Sequence, residues 1–175
     1  QRRWKLIHDG APPRGAQEAR TALGWFDAAR ALVEGQRGFF VPRVPPPLAA
    51  AASDPGQLSW YDTAPLRATL ERLVDFERIN HPHHGAPRLT MSAVDVESGN
   101  FELFDSRDGP WAGRIGALHV MASGALPPGF AAVEIEGRHY WDGGLVSNTP
   151  LAAVLDAEPR CDTLAFQVDL WSAVG

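Results

Sequence analysis

Apolar and polar positions along this chain follow two periods, and the switches between them mark out its elements. Residues 16–34 place Ala19, Leu23, Phe26, Ala29 and Val33 at helical spacing, with Gly35 as a stop, so an amphipathic helix is expected there. Its polar face mixes charges and is not basic, which favours packing on its own domain over facing lipid or a partner. A second helix is expected over 63–79. Asp62 or Thr63 can cap it, Pro65 lies in its first turn, and Leu66, Leu70, Leu73 and Val74 form its apolar face. Arg67, Glu71, Arg72 and Glu77 form a solvated opposite face with helix-spaced ion pairs, and Asn80 and Pro82 end it. A short helix is expected over 113–121, with Ile115 and Leu118 inward.

The two-residue period appears in the second half. Leu89, Met91, Ala93, Val94 and Val96 lead into the turn Glu97-Ser98-Gly99-Asn100, and Phe101, Leu103 and Phe104 begin a return strand. Val133, Ile135, Tyr140 and Trp141 suggest two short strands about Glu136-Gly137. Residues 148–157 read as a loop and helix start, with Thr149 as cap and Pro150 in the first turn. Leu164, Phe166, Val168 and Leu170 alternate with polar or small residues, which predicts a further strand, central to the sheet. Between the first two helices, residues 38–58 hold Pro42, Pro45, Pro46, Pro47 and the turn sequence Ser53-Asp54-Pro55-Gly56, a long irregular connection. Phe39 and Phe40 at its start are expected to anchor it to a core. Helices alternating with apolar strands predict an α/β fold.

Composition narrows the function classes. A length of 175 residues fits one domain, expected over 1–175, and 45% hydrophobic with 21% charged residues fits a globular chain. The net charge of −5, with no basic run, argues against nucleic-acid binding. The single Cys161 excludes an internal disulfide, points to a reducing compartment and reads as a structural residue. No apolar run reaches the ~18 residues of a membrane span, and no secretory signal is visible. The expected location is cytoplasmic, with peripheral membrane contact left open. The chain opens on Gln1 rather than Met, as a segment inside a longer protein would.

Several residues invite chemistry. His81, His83 and His84 form a cluster, but adjacent histidines split by a proline do not match a zinc spacing, and a polar loop is the preferred reading. His119 on a part-apolar helix is read as packed rather than as a base. Asp95 is an acidic candidate by its place near a strand end. The stretch around Asp142-Gly143-Gly144 is more specific. Tyr140 and Trp141 lead into an acidic residue and two glycines, followed by Asn148 and Pro150. A strand ending so puts a carboxylate at its terminus, and the glycines permit a tight turn and close approach of another backbone.

The ordered set Ala122-Ser123-Gly124-Ala125, Pro127, Phe130, Gly137, Asp142-Gly143-Gly144, Asn148 and Pro150 resembles the patatin-like phospholipase family. The run Gln167–Ser172 resembles its bacterial members, so the resemblance spans roughly 38–175. It implies a three-layer α/β sandwich with helices on both faces of a mixed sheet, present here in part. It implies a Ser–Asp dyad with Asp142 as acid/base, supported by Gly143, Gly144, Asn148 and Pro150. A lipid ester or phospholipid is the implied substrate, and no cofactor or metal is called for.

The same resemblance exposes a gap. The family's nucleophile lies in Gly-x-Ser-x-Gly and its oxyanion hole in a glycine-rich loop, both upstream. Neither Gly-x-Ser-x-Gly nor three consecutive glycines occurs in this sequence. Ser123 and Ser147 both lack the flanking glycines that the strained nucleophile turn requires. Ser123 instead matches a downstream motif position, where backbone capping is its expected duty. The chain is therefore expected to be the C-terminal, Asp-bearing part of a hydrolase. The alternatives are a non-catalytic lipid-binding or scaffold relative, and a metal-dependent hydrolase built on the histidine cluster.

Overall fold

The computed structural model describes residues 14–44, 58–81 and 87–147, together with 155, 156, 162 and 164–168. Helix α1 (Arg14–Glu34) is followed by a two-stranded antiparallel pair, β1 (Val41–Pro42) with β2 (Tyr61–Asp62). Helices α2 (Ala64–Leu73) and α3 (Phe76–Asn80) come next. Strands β3 (Thr90–Asp95) and β4 (Phe101–Asp105), helix α4 (Ala117–Ser123), and strands β5 (Val133–Ile135) and β6 (Arg138–Asp142) complete the centre of the molecule. The main sheet has the order β4-β3-β6-β5, with every described pairing antiparallel. Helices and sheet together make an α/β composition. A mixed sheet and helices on its second face are not seen among the described residues.

The expected second helix breaks in two. Val74 takes an extended conformation, and the Asp75 side chain accepts the Arg78 N–H at 2.9 Å, so a new helix starts where a continuous one was expected. An aspartate can cap a new helix as readily as it can decorate an old one, and the apolar spacing does not distinguish these. Asp62 caps α2 by accepting the Ala64 N–H at 2.9 Å, and Arg67 pairs with Glu71 at 2.8 Å as their spacing suggests. Asn80 ends α3. Its amide bridges Ile115 in both directions, accepting the Ile115 N–H at 2.8 Å and donating to the Ile115 carbonyl at 2.7 Å.

The β3–β4 hairpin follows the sequence pattern. Asp95 accepts the Glu97 and Ser98 N–H groups at 3.0 and 2.9 Å, Gly99 supplies a positive φ, and Arg138 pairs with Asp95 at 3.3 Å. Asp95 is thus a buried turn-forming carboxylate. The β5–β6 connection is a two-residue turn in which Glu136 and Gly137 both have positive φ, as a type I′ hairpin demands.

Alternation along β3 and β6 puts Ala93 and Tyr140 on the face that α4 covers. The core there joins Phe104, Trp111, Ile115, Ala122, Ala125, Val133 and Ile135 to those two, with Phe76 and Ile79 of α3 packed against it. A second, aromatic cluster ties the irregular segment down. Phe40 lies edge-on to Tyr61 at 4.7 Å and to Phe130 at 5.5 Å, and Phe39 lies 5.6 Å from Phe130. The Phe39–Phe40 anchor expected from sequence is present.

Three expectations need correction. Helix α1 forms, but it does not pack on the domain: among residues 21–34 only Ala31 is even partly buried. Residues 164–168 form no strand, and Leu164, Phe166 and Val168 are exposed. A strand is stable only when a neighbour pairs with it, and alternation alone supplies no neighbour. The short helix starts at Ala117 rather than 113, after Gly116 and the positive-φ Gly113. Residues 45–57, Cys161, His83, His84 and most of 148–157 lie outside the described residues.

Candidate active site

Asp142 is the last residue of β6, where the sequence pattern put it. Its main chain is fixed on two sides. It pairs with Ala93 of β3, and its N–H donates to the Ala125 carbonyl at 3.0 Å. That carbonyl belongs to the loop that follows α4. The side chain is fixed as well, because Oδ1 accepts the Gly144 N–H at 2.7 Å. A single 3₁₀ turn over Gly143–Leu145 then carries the chain away, closed by Val146 and Ser147 N–H groups on the Gly143 carbonyl.

The two glycines have different duties. Gly143 is buried against β3: a Cβ placed on it would come within 2.6 Å of the Ser92 carbonyl carbon. Only hydrogen fits between these backbones. Gly144 is exposed and contributes its N–H to the carboxylate. Asn148 and Pro150 lie outside the described residues. Ser92, which sequence reasoning did not single out, is the surface on which the turn rests. The only sequence signal for it was the close approach that a glycine after a strand permits.

The chain segments that flank the half-buried Asp142 carry exposed aliphatic residues. Leu145 and Val146 of the following turn are exposed, and so is Leu126, next to the carbonyl that holds Asp142 in place. The loop bearing Leu126 is itself braced, since Trp60 and Tyr61 donate their N–H groups to Pro128 and Gly129 carbonyls at 3.2 and 3.0 Å. A carboxylate fixed by a hydrogen bond at a strand end can accept a proton.

The other candidates have structural surroundings of their own. His119 is buried between Phe104 and Trp111, with ring centroids at 5.0 and 4.9 Å. Its Nδ1 accepts the Gly116 N–H at 3.0 Å, and its Nε2 is buried with no hydrogen-bond partner. Burial holds its pKa below the usual histidine value, and the Arg114 charge adds to that. Ser123 ends α4 and is partly buried. Asp95 is held below the usual carboxylate range chiefly by the Ser98 N–H. Asp105 is buried, which alone would raise it. Hydrogen bonds from Thr90, the Arg107 N–H and Arg88 outweigh that and lower it. Both aspartates therefore serve structure. Among the described residues no group of three His, Cys, Asp or Glu side chains could hold a metal ion. No described helix is long and apolar enough to cross a membrane.

A family model for patatin-like phospholipases matches residues 39–155, which is 117 of the 175 residues. The chain belongs to the patatin-like phospholipase family. The match runs from the Phe39–Phe40 anchor through Asp142. No curated protein and no solved structure matches the chain significantly.

Proposed function

We propose that this chain carries the acid/base part of a serine lipid-ester hydrolase, with Asp142 as the proton-transferring residue and the nucleophilic serine supplied from outside these 175 residues. The observation that carries the reading is the fixed carboxylate of Asp142 at the end of β6, inside the family match. The substrate class is a lipid ester or phospholipid, in keeping with the family. In this reading the chain is the C-terminal part of a three-layer domain, and Asn148 and Pro150 shape the segment after the turn.

The chemistry needs a hydroxyl, a carboxylate and water. The serine oxygen attacks the ester carbonyl carbon while its proton passes to the Asp142 carboxylate. Backbone N–H groups stabilise the oxyanion. When the tetrahedral intermediate collapses, the C–O bond to the alcohol breaks and Asp142 returns the proton to the leaving oxygen. Water then attacks the acyl-enzyme with the same carboxylate as base, and the free acid and the serine are released. The test is Asp142→Asn in the serine-bearing enzyme. A fall in kcat of about a thousandfold is expected, since a positioned base contributes on the order of 10²–10⁴, with thermal unfolding unchanged. An Asn variant of normal activity sinks the assignment.

The absence of Gly-x-Ser-x-Gly from the sequence favours a second reading, a lipid-binding or scaffold relative without turnover. Lipid binding by a native protein that has no catalytic serine would decide for it.

A further inference from the structure

Three Asp-Gly pairs occur in the sequence, at 9–10, 108–109 and 142–143, and the first lies outside the described residues. An aspartate followed by glycine is open to an internal reaction, because no Cβ shields the glycine nitrogen from the neighbouring carboxyl group. The two described pairs meet that reaction in opposite surroundings. Asp108 caps a 3₁₀ turn over Gly109–Trp111, and its side chain is 84% exposed. Its own Oδ1 accepts the Gly109 N–H at 2.8 Å, so nitrogen and carboxyl group already lie side by side. Gly109 has a φ of +72°, and a Cβ built on it would meet nothing within 4 Å. The Ala112 N–H reaches the Gly109 carbonyl at 3.3 Å. At the other pair, Oδ1 of Asp142 is taken by the Gly144 N–H rather than that of Gly143. Gly143 is buried against Ser92, and the Val146 and Ser147 N–H groups hold its carbonyl at 3.0 and 2.9 Å.

We propose that Asp108-Gly109 is a self-modification site, where Asp108 converts to isoaspartate through a cyclic imide, while Asp142-Gly143 is held out of the same reaction. The Gly109 nitrogen adds to Cγ of the protonated Asp108 carboxyl group. The N–Cγ bond forms, and the carboxyl hydroxyl leaves with the amide hydrogen as water. Water then adds to one of the two imide carbonyls. Breaking the N–Cγ bond returns aspartate. Breaking the bond from the nitrogen to the main-chain carbonyl carbon leaves a chain that runs through Cβ and Cγ and is one methylene longer. Ring closure requires rotation about the aspartate Cα–C bond, since the backbone has ψ 155° at Asp108 and 128° at Asp142. What resists that rotation separates the two sites. At Asp108 it swings a glycine with open space around it. The Asp108 N–H on Asp105, at 3.2 Å, lies on the far side of the rotating bond, and the ion pair with Arg88 is long at 3.9 Å. At Asp142 the same rotation drives Gly143 off its seat on β3. The product bears on the fold, because it displaces the carboxylate that caps the turn. Trp111 ends that turn, packs edge-on to Phe104 at 5.3 Å and donates to Glu102 at 2.6 Å.

The test ages the full 175-residue chain in native buffer and, in parallel, unfolded in urea. Isoaspartate at 108 and at 142 is counted by electron-transfer fragmentation of the peptides that carry each position. In native buffer it should build up at 108 on the order of tenfold faster than at 142, the ratio that a modest difference in barrier gives. In urea both pairs lose their surroundings, and the two rates should converge. Asp108→Glu, whose longer side chain does not close the five-membered imide, should abolish the product at 108 and leave the rate at 142 unchanged. Equal accumulation at the two sites in native buffer overturns the proposal, and so does an absence of isoaspartate at 108. A ratio that persists unchanged in urea overturns it as well, because local sequence rather than the fold would then set the difference.

Discussion

At residue scale the Asp-Gly-Gly sequence separates into three physical duties. Asp142 holds a carboxylate in place, Gly143 admits a neighbouring strand and Gly144 lends an N–H. The carboxylate at a strand end was legible in the sequence because the apolar run through Tyr140 and Trp141 closes on it; Asp-Gly-Gly alone is an ordinary turn sequence, and the ordered set around it gave the specificity. The partner of the close approach, Ser92, was not, since register across β3 and β6 is a long-range property. Gly143→Ala forces a methyl group into the Ser92 backbone and should cost about 2–3 kcal/mol by overpacking, read as a lower urea midpoint. Gly144→Ala, at an exposed position, should cost clearly less. Equal midpoints for the two would contradict the close approach. His119 gives a pH signature of opposite origin. Its pKa is lowered in the folded state, so at mildly acidic pH the unfolded chain binds more protons than the folded one. Stability is then fully present above the ordinary histidine value near 6.5 and declines as pH falls below it. Unfolding at pH 7.5 and 5.5 should show this loss in wild type and a smaller one in His119→Gln. Matching losses would mean that other groups carry it.

At the scale of elements, hairpins were the most readable features. The turns at Glu97–Asn100 and Glu136-Gly137 announce themselves through residues that adopt positive φ or cap their own backbone. Helix existence was readable too, but helix extent and environment were not. One predicted helix divides at Asp75, because a cap and a surface residue look alike in sequence. Helix α1 has the expected amphipathic pattern, yet residues 21–34 are exposed on both faces apart from Ala31, since periodicity says which face is apolar and not what it meets. The alternating stretch at 164–168 makes the same point for strands, for alternation without a ladder leaves Leu164, Phe166 and Val168 in solvent.

On the scale of the whole molecule, the described α/β core and the family match agree on the centre of the chain, where Asp142 sits. The catalytic reading needs a hydroxyl beside that carboxylate, and the nucleophile motif is absent from the sequence. The purified 175-residue chain is therefore expected to show no turnover of a short-chain ester above background. Hydrolysis that survives purification and is lost in Asp142→Asn would mean that a serine within the chain, outside Gly-x-Ser-x-Gly, completes the dyad.

The three tethers on Asp142 have a kinetic consequence. Its backbone is paired to Ala93 and bonded to Ala125, and its side chain is bonded to Gly144, so folding has already removed the rotational freedom that a mobile base loses on the way to the transition state. In the proposed mechanism a stationary acceptor leaves the remaining search to the donor. The barrier would then vary with how closely the serine hydroxyl is delivered, and small displacements of the element that bears it would change the rate more than any motion of the carboxylate.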